Sequence, residues 1–252
     1  MRYTYKEIES FTESGESLWE YIFLKPIINR LVWLFANYTN FTPNQITVMA
    51  FIFGLLSAYS FFNGQWYYLI IGSLLFEFSF ILDYVDGKIA RLKGMKSVFG
   101  AYLDISCDVV KYFFIILGIV YGQYMFTKDI SFFLYGYIYI FAYLAFLANT
   151  YIIRFNQPEF GMSRDDVFKI RHTTLNEKMP FIMKLRAKID PDNRLTFIPI
   201  SADEAETIIF LIGPIIMEIK LCMAIASIIM IVNIVCLAIF NFSMKNKTKV
   251  NF

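Results

Sequence analysis

Long apolar runs separated by short polar breaks dominate the chain. After a mixed-charge stretch at 1–17, Trp19, Ile22, Phe23, Ile27, Leu31 and Phe35 recur near helical spacing. Lys25 and Arg30 interrupt this run and favour headgroups over hydrocarbon, and Pro26 breaks its geometry. The pattern predicts an amphipathic interfacial helix over 18–35, kinked or broken at Pro26. Six apolar runs follow, at about 43–62, 66–92, 98–121, 130–155, 203–218 and 220–242. Most approach the length of about 20 residues that a helix needs to cross a bilayer. Thr42 and Pro43 suit the cap and first turn of the first run, and Asn63-Gly64 suits the turn after it. The second run is longer than the hydrocarbon core, so its last two turns project into the interface. The predicted fold is an all-α polytopic membrane protein of six transmembrane helices with an N-terminal amphipathic interfacial helix.

Three regions follow: an N-terminal cytoplasmic and interfacial segment at 1–35, a six-span domain at 36–242, and a basic tail at 243–252. A polar insert at about 156–202 interrupts the domain, with four prolines, charges of both signs and His172, the one histidine. The insert includes a candidate strand after Arg194 and a candidate helix cap at Ser201. Asp203, Glu204 and Glu206 begin the fifth run, either as an acidic first turn or as residues that approach the site. Basic residues fall largely on one side: Lys25 and Arg30, Lys88 to Lys96, the insert, and the C-terminal lysines. The positive-inside rule then puts both termini on the cytoplasmic side, in the inner membrane if the cell is bacterial.

Composition adds little to this picture. The chain is 58% hydrophobic, which a soluble protein of this size rarely is. Its net charge of +2 gives no footprint for nucleic acid. Cys107, Cys222 and Cys236 lie in apolar runs without metal-ligand spacing and read as small hydrophobes.

Four aspartates break the apolar pattern. Asp83 and Asp86 are three residues apart at the end of the second run, and Asp104 and Asp108 are four apart at the start of the third. Each pair shares a helix face. The short turn at 93–97 makes the two helices antiparallel neighbours, with both pairs at the same edge. Carboxylates in this setting are costly, and four facing one another repel without a cation. Oxygen ligands of this kind suit Mg²⁺ or Mn²⁺, and two such ions can bridge phosphate oxygens. Gly87 admits a phosphate or base close to the backbone, Ala90 keeps the helix thin, and Gly100 opens the facing helix. Arg91 returns to nearly the face of Asp83, where its fork can hold a diphosphate. One carboxylate is free to take a proton from an attacking hydroxyl. A structural ion-pair role beside Lys88, Arg91 or Lys111, or a carboxylate-lined cation pathway, competes with this reading.

The run Asp83-x2-Asp86-Gly87-x2-Ala90-Arg91-x8-Gly100-x3-Asp104-x3-Asp108 resembles the signature of the CDP-alcohol phosphotransferases at every fixed position. The TPNQIT segment at 42–47 resembles the start of the first span in that family. The resemblance covers about 36–155 and 203–242, and the insert departs from it. It implies transfer of a substituted phosphate from a CDP-alcohol, most often CDP-diacylglycerol, to a hydroxyl acceptor with release of CMP. It implies Asp83, Asp86 and Asp104 as metal ligands, and Asp108 as general base that also touches a metal. Gly87, Ala90, Arg91 and Gly100 would line the CDP pocket, with Asn44 and Thr47 beside them. The family is commonly dimeric, which implies a homodimer in the lipid membrane. The acceptor is not written in the signature. A phosphorylated one would need further cations, for which Lys111, Arg154, Arg164 and Arg171 are the candidates, with Lys169 and His172 nearby. A CDP-polyol donor or a sugar- or polyol-phosphate acceptor is the alternative within the same chemistry.

Overall fold

The computed structural model describes residues 3–10, 17–156 and 202–248, and every described element is helical. A short α1 (Tyr5–Ser10) folds back on α2 (Lys25–Tyr38), where the Asn37 side chain accepts from the Tyr3 amide at 2.7 Å. A π-helical turn, Glu20–Leu24, leads into α2, whose first turn takes Pro26. The wider turn absorbs the hydrogen bond that Pro26 cannot donate, so the break falls just before the proline.

The core is built on α3 (Pro43–Phe62), α4 (Trp66–Leu92) and α5 (Val98–Thr127). Thr42 caps α3 through a reciprocal pair with Gln45, and Pro43 occupies its first turn. The three helices approach closely because small residues line their seams. Ser57 and Ser79 donate to the carbonyls of Gly72 and Ala50, at 2.7 and 2.6 Å, joining α3 to α4. On α5, Gly118 and Gly122 lie against the Ala58 and Phe61 carbonyls of α3, where a Cβ has no room. Gln123 Nε2 then reaches the Gly64 carbonyl at 2.9 Å. Gly122 is thus a packing glycine, and α5 continues past the expected end near Tyr121 to Lys128, a left-handed cap.

Helix α6 (Ser131–Asn156) packs on α5 and on the last helix (Ile219–Thr248). Between them runs a broken segment, Ala202–Thr207, a π turn at Ile208–Ile212, and Gly213–Ile216. The fifth apolar run is therefore not one regular helix, because Pro214 removes a backbone donor that the π turn accommodates. Among the described residues, three helices are long and apolar enough to cross a membrane: Pro43–Phe62, Trp66–Leu92 and Ser131–Asn149. Ile219–Val235 is a shorter apolar helix. The result is an all-α protein with several long apolar helices, consistent with a polytopic membrane fold.

The N-terminal segment is tied to this bundle by polar contacts. Lys88 of α4 and Glu20 form a buried ion pair at 3.2 Å, and the Lys88 ammonium donates to Asn29 Oδ1 at 3.4 Å. The Trp19 indole donates to Glu77 of α4 at 2.7 Å, and the Trp19 amide donates to Glu204 at 3.1 Å. Tyr84 donates to Asp203 at 2.5 Å. Residues 19 and 20 therefore clasp the middle and end of α4, and residue 19 also holds the first turn of the 202–216 segment.

Candidate metal and nucleotide site

The end of α4, the start of α5 and the start of α3 converge at one end of the bundle. The α4–α5 turn is short, and Ser97 caps α5 by accepting from the Gly100 amide at 2.9 Å. This turn sets Asp83 and Asp86 opposite Asp104 and Asp108. Carboxylate oxygens of Asp83, Asp104 and Asp108 lie within 4.8 Å of one another, and all three residues are half-buried. This is a clustered acidic triad suited to a divalent metal. Asp86 is buried and stands outside the triad, with its Oδ2 accepting from Thr47 Oγ1 at 2.5 Å. Thr47, expected in the CDP pocket, thus reaches the carboxylate group directly.

The pocket residues gather around this group. The Arg91 guanidinium folds over Gly87, where an added Cβ would stand 3.4 Å from Nη1. At Gly100 an added Cβ would stand 3.0 Å from Asn44 Oδ1, so Asn44 of α3 and Gly100 of α5 face each other across the site. Ala90 lies half-buried on α4 beside Arg91. Lys111, expected as an acceptor ligand, is buried and turned into the carboxylates. Its ammonium lies 2.6 Å from Asp108 and 3.5 Å from Asp83.

The remaining candidates stand apart. Arg154 lies on the last turn of α6, and only its backbone is described. Arg164, Lys169, Arg171, His172, the candidate strand and Ser201 lie outside the described residues. Asp203 and Glu206 do approach the site's rear, whereas Glu204 accepts from the Trp19 amide. Asp203 meets Tyr84, and Glu206 is buried within the electrostatic reach of Lys111 and Asp108. Sequence reasoning passed over Glu77, an acid near the middle of α4 that accepts from Trp19. Its position in an apolar run was the available signal. Lys88, counted with the one-sided basic residues and weighed as an ion-pair partner of the aspartates, is turned inward onto Glu20.

The donor set fits hard divalent ions. Three carboxylates cluster with oxygen ligands and a fourth, Asp86, stands beside them, and the Lys111 ammonium pairs with Asp83 and Asp108. Such a site beside a guanidinium and a glycine-thinned helix defines a class of phosphate-handling membrane proteins. The sequence profile of CDP-alcohol phosphatidyltransferase matches residues 40–186, more than half of the chain. The chain belongs to that family of transferases, and membership sets aside the cation-pathway reading.

Relatives within the family are partial matches. An archaetidylinositol phosphate synthase of Pyrococcus horikoshii is 35% identical over 81 residues, 32% of this chain and 42% of the relative. A bifunctional IPC transferase and DIPP synthase of Aquifex aeolicus is 38% identical over 69 residues, 27% of this chain and 15% of the relative. The chain thus spans less than half the length of these curated relatives. The crystal structure of Mycobacterium tuberculosis phosphatidylinositol phosphate synthase with CDP-DAG bound aligns with a TM-score of 0.47 and 17% identity. That alignment covers 83% of this chain and 88% of the other.

Proposed function

We propose that this chain transfers a substituted phosphate from a CDP-alcohol to a hydroxyl acceptor at the membrane edge, releasing CMP. The carrying observation is the triad of Asp83, Asp104 and Asp108 within 4.8 Å, with Asp86 beside it in the family's motif. Asp83, Asp86 and Asp104 hold Mg²⁺ or Mn²⁺, as a pair of ions, and Asp108 borders them. When bound, the ions neutralise the donor diphosphate and stabilise charge on the entering and leaving oxygens.

The chain's own residues supply the rest. Arg91 forks onto diphosphate oxygens, and Gly87 leaves room for them against the α4 backbone. Asn44 and Gly100 border the nucleotide on the facing side. The acceptor hydroxyl gives its proton to Asp108 and attacks the phosphorus that carries the donor alcohol. The new oxygen–phosphorus bond forms as the bond to the CMP oxygen breaks, and CMP leaves with the electron pair. This reading counts six spans, α3 to α6, the 202–216 segment and the last helix, and the basic residues on the site's side favour a cytoplasmic face for it. The N-terminal helix lies beside it in the interface.

CDP-diacylglycerol is the donor this reading favours, because the carboxylates end the apolar run of α4, where an acyl-chain substrate would meet water. The archaetidylinositol phosphate synthase name carried by two relatives favours a polyol phosphate as acceptor. The IPC transferase and DIPP synthase names carried by others keep a CDP-polyol donor as a second reading. A homodimer is part of the proposal.

The test measures CMP release by the purified full chain with Mn²⁺ or Mg²⁺. Its arms pair CDP-diacylglycerol, the diether equivalent and CDP-inositol with inositol phosphate, glycerol phosphate, serine and other hydroxyl acceptors. One donor–acceptor pair should give CMP, and Asp108→Asn should remove it. Cytidine nucleotide binding without CMP from any arm would sink the proposed reaction.

A further inference from the structure

We infer that Lys111 is a built-in counter-cation of the carboxylate group, and that it lowers the site's affinity for divalent ions. This rests on reading Asp83, Asp104 and Asp108 as a divalent-ion site.

The geometry favours a competitor over a distant anchor. Lys111 is 2% exposed, and its ammonium touches two of the three triad residues, Asp108 at 2.6 Å and Asp83 at 3.5 Å. It starts from α5, one turn beyond Asp108, so the helix itself delivers the charge to the site. Its stem runs through a slot that α3 leaves open. A Cβ at Gly54 would stand 2.5 Å from Lys111 Cδ and 3.2 Å from Ser79 Oγ. Only a glycine at this point gives the stem its path between α3 and α4.

Two consequences follow from charge alone. Without divalent ions, the ammonium relieves repulsion within the carboxylate group and lets the bundle close around it. With ions, a fixed positive charge at contact distance from the same carboxylates opposes their binding. A buried ammonium cannot simply leave, because an unpaired charge inside the bundle is strongly destabilising. The lysine therefore stays and competes.

Mn²⁺ alone is the probe. Its binding to the full chain in detergent is followed by the paramagnetic resonance signal of free Mn²⁺. Wild type is compared with Lys111→Met, Lys111→Gln and Gly54→Ala. Both lysine variants should bind Mn²⁺ roughly tenfold or more tightly, given the removal of a unit charge beside a divalent ion in a protein interior. Gly54→Ala crowds the stem and should shift affinity in the same direction by less. If a lysine variant unfolds without metal, it is purified with Mn²⁺ and titrated with chelators of graded strength, which reads the same affinity. Unchanged or weaker Mn²⁺ binding by the lysine variants overturns the inference and leaves the metal site standing. No Mn²⁺ binding by the wild type overturns the metal reading and the inference with it.

Discussion

Removing one partner of the buried Lys88–Glu20 pair should be far more damaging than removing both. The two side chains are 7% and 3% exposed and 3.2 Å apart, and Asn29 adds a third polar group. Glu20→Leu leaves the Lys88 ammonium buried on α4 with its carboxylate gone. Breaking a buried pair in this way costs about 3–5 kcal/mol, much of it the desolvation of the orphaned charge. Replacing both, as Lys88→Met with Glu20→Leu, removes that charge and leaves apolar groups of similar size. The double variant should fall within about 1–2 kcal/mol of wild type, since apolar replacements of buried pairs are often near neutral. Equilibrium unfolding in mixed detergent micelles gives the three free energies, and the cycle gives the coupling. A single-variant loss below about 1 kcal/mol, the range of an exposed pair, would refute the burial argument. So would a double variant no better than the single one.

Other consequences can be measured on the same preparation. Gly122→Ala pushes a methyl at the Phe61 carbonyl on α3, and backbone cannot yield as a side chain can. It should lower stability by about 1–3 kcal/mol, the usual range for overpacking, in the same unfolding assay. At the opposite end of the bundle, the hydrogen bond from Lys220 holds the Asp129 carboxyl down to about 2, below its usual 3.8. A depressed carboxyl stabilises the fold above its unfolded value and loses that contribution as pH falls towards its folded one. Stability from this pair should thus hold from neutral pH to near 3.8 and decline from there towards about 2. Asp129→Asn should flatten that decline in an acid titration of the melting temperature.

Local signals made much of the bundle legible in the sequence. The bounds of α3 and α4 follow from Thr42-Pro43, Asn63-Gly64 and the basic turn after Leu92, all of which act within a few residues. The carboxylate group was legible for the same reason, since a short turn and helical spacing suffice to gather it. Side-chain direction was not legible. Lys88 and Lys111 sit in apolar helices as apparent edge charges, yet one turns to Glu20 and the other to Asp83 and Asp108. Glu20 and Asp83 come from other elements, so no local pattern announces them, whereas Asp108 stands one turn from Lys111 on α5 and that pairing was among the readings the spacing offered. The break at 208–212 had a local cue in Pro214, but the apolar run around it masked that cue.

The clasp at Trp19 and Glu20 also bears on the order of assembly. Trp19 and Glu204 are 185 residues apart, whereas Glu77 of α4 lies only 58 residues from Trp19. Chain synthesis thus delivers the indole, the Glu20 carboxylate and the α4 partners early, and Glu204 late. Until the 202–216 segment is made, the first N-terminal turn can be held only from one side. Long-range closure of this kind is slow, because loop entropy is lost before the contact is gained. The turn at Trp19 therefore completes its contacts late, after the helices that carry the aspartates have been made.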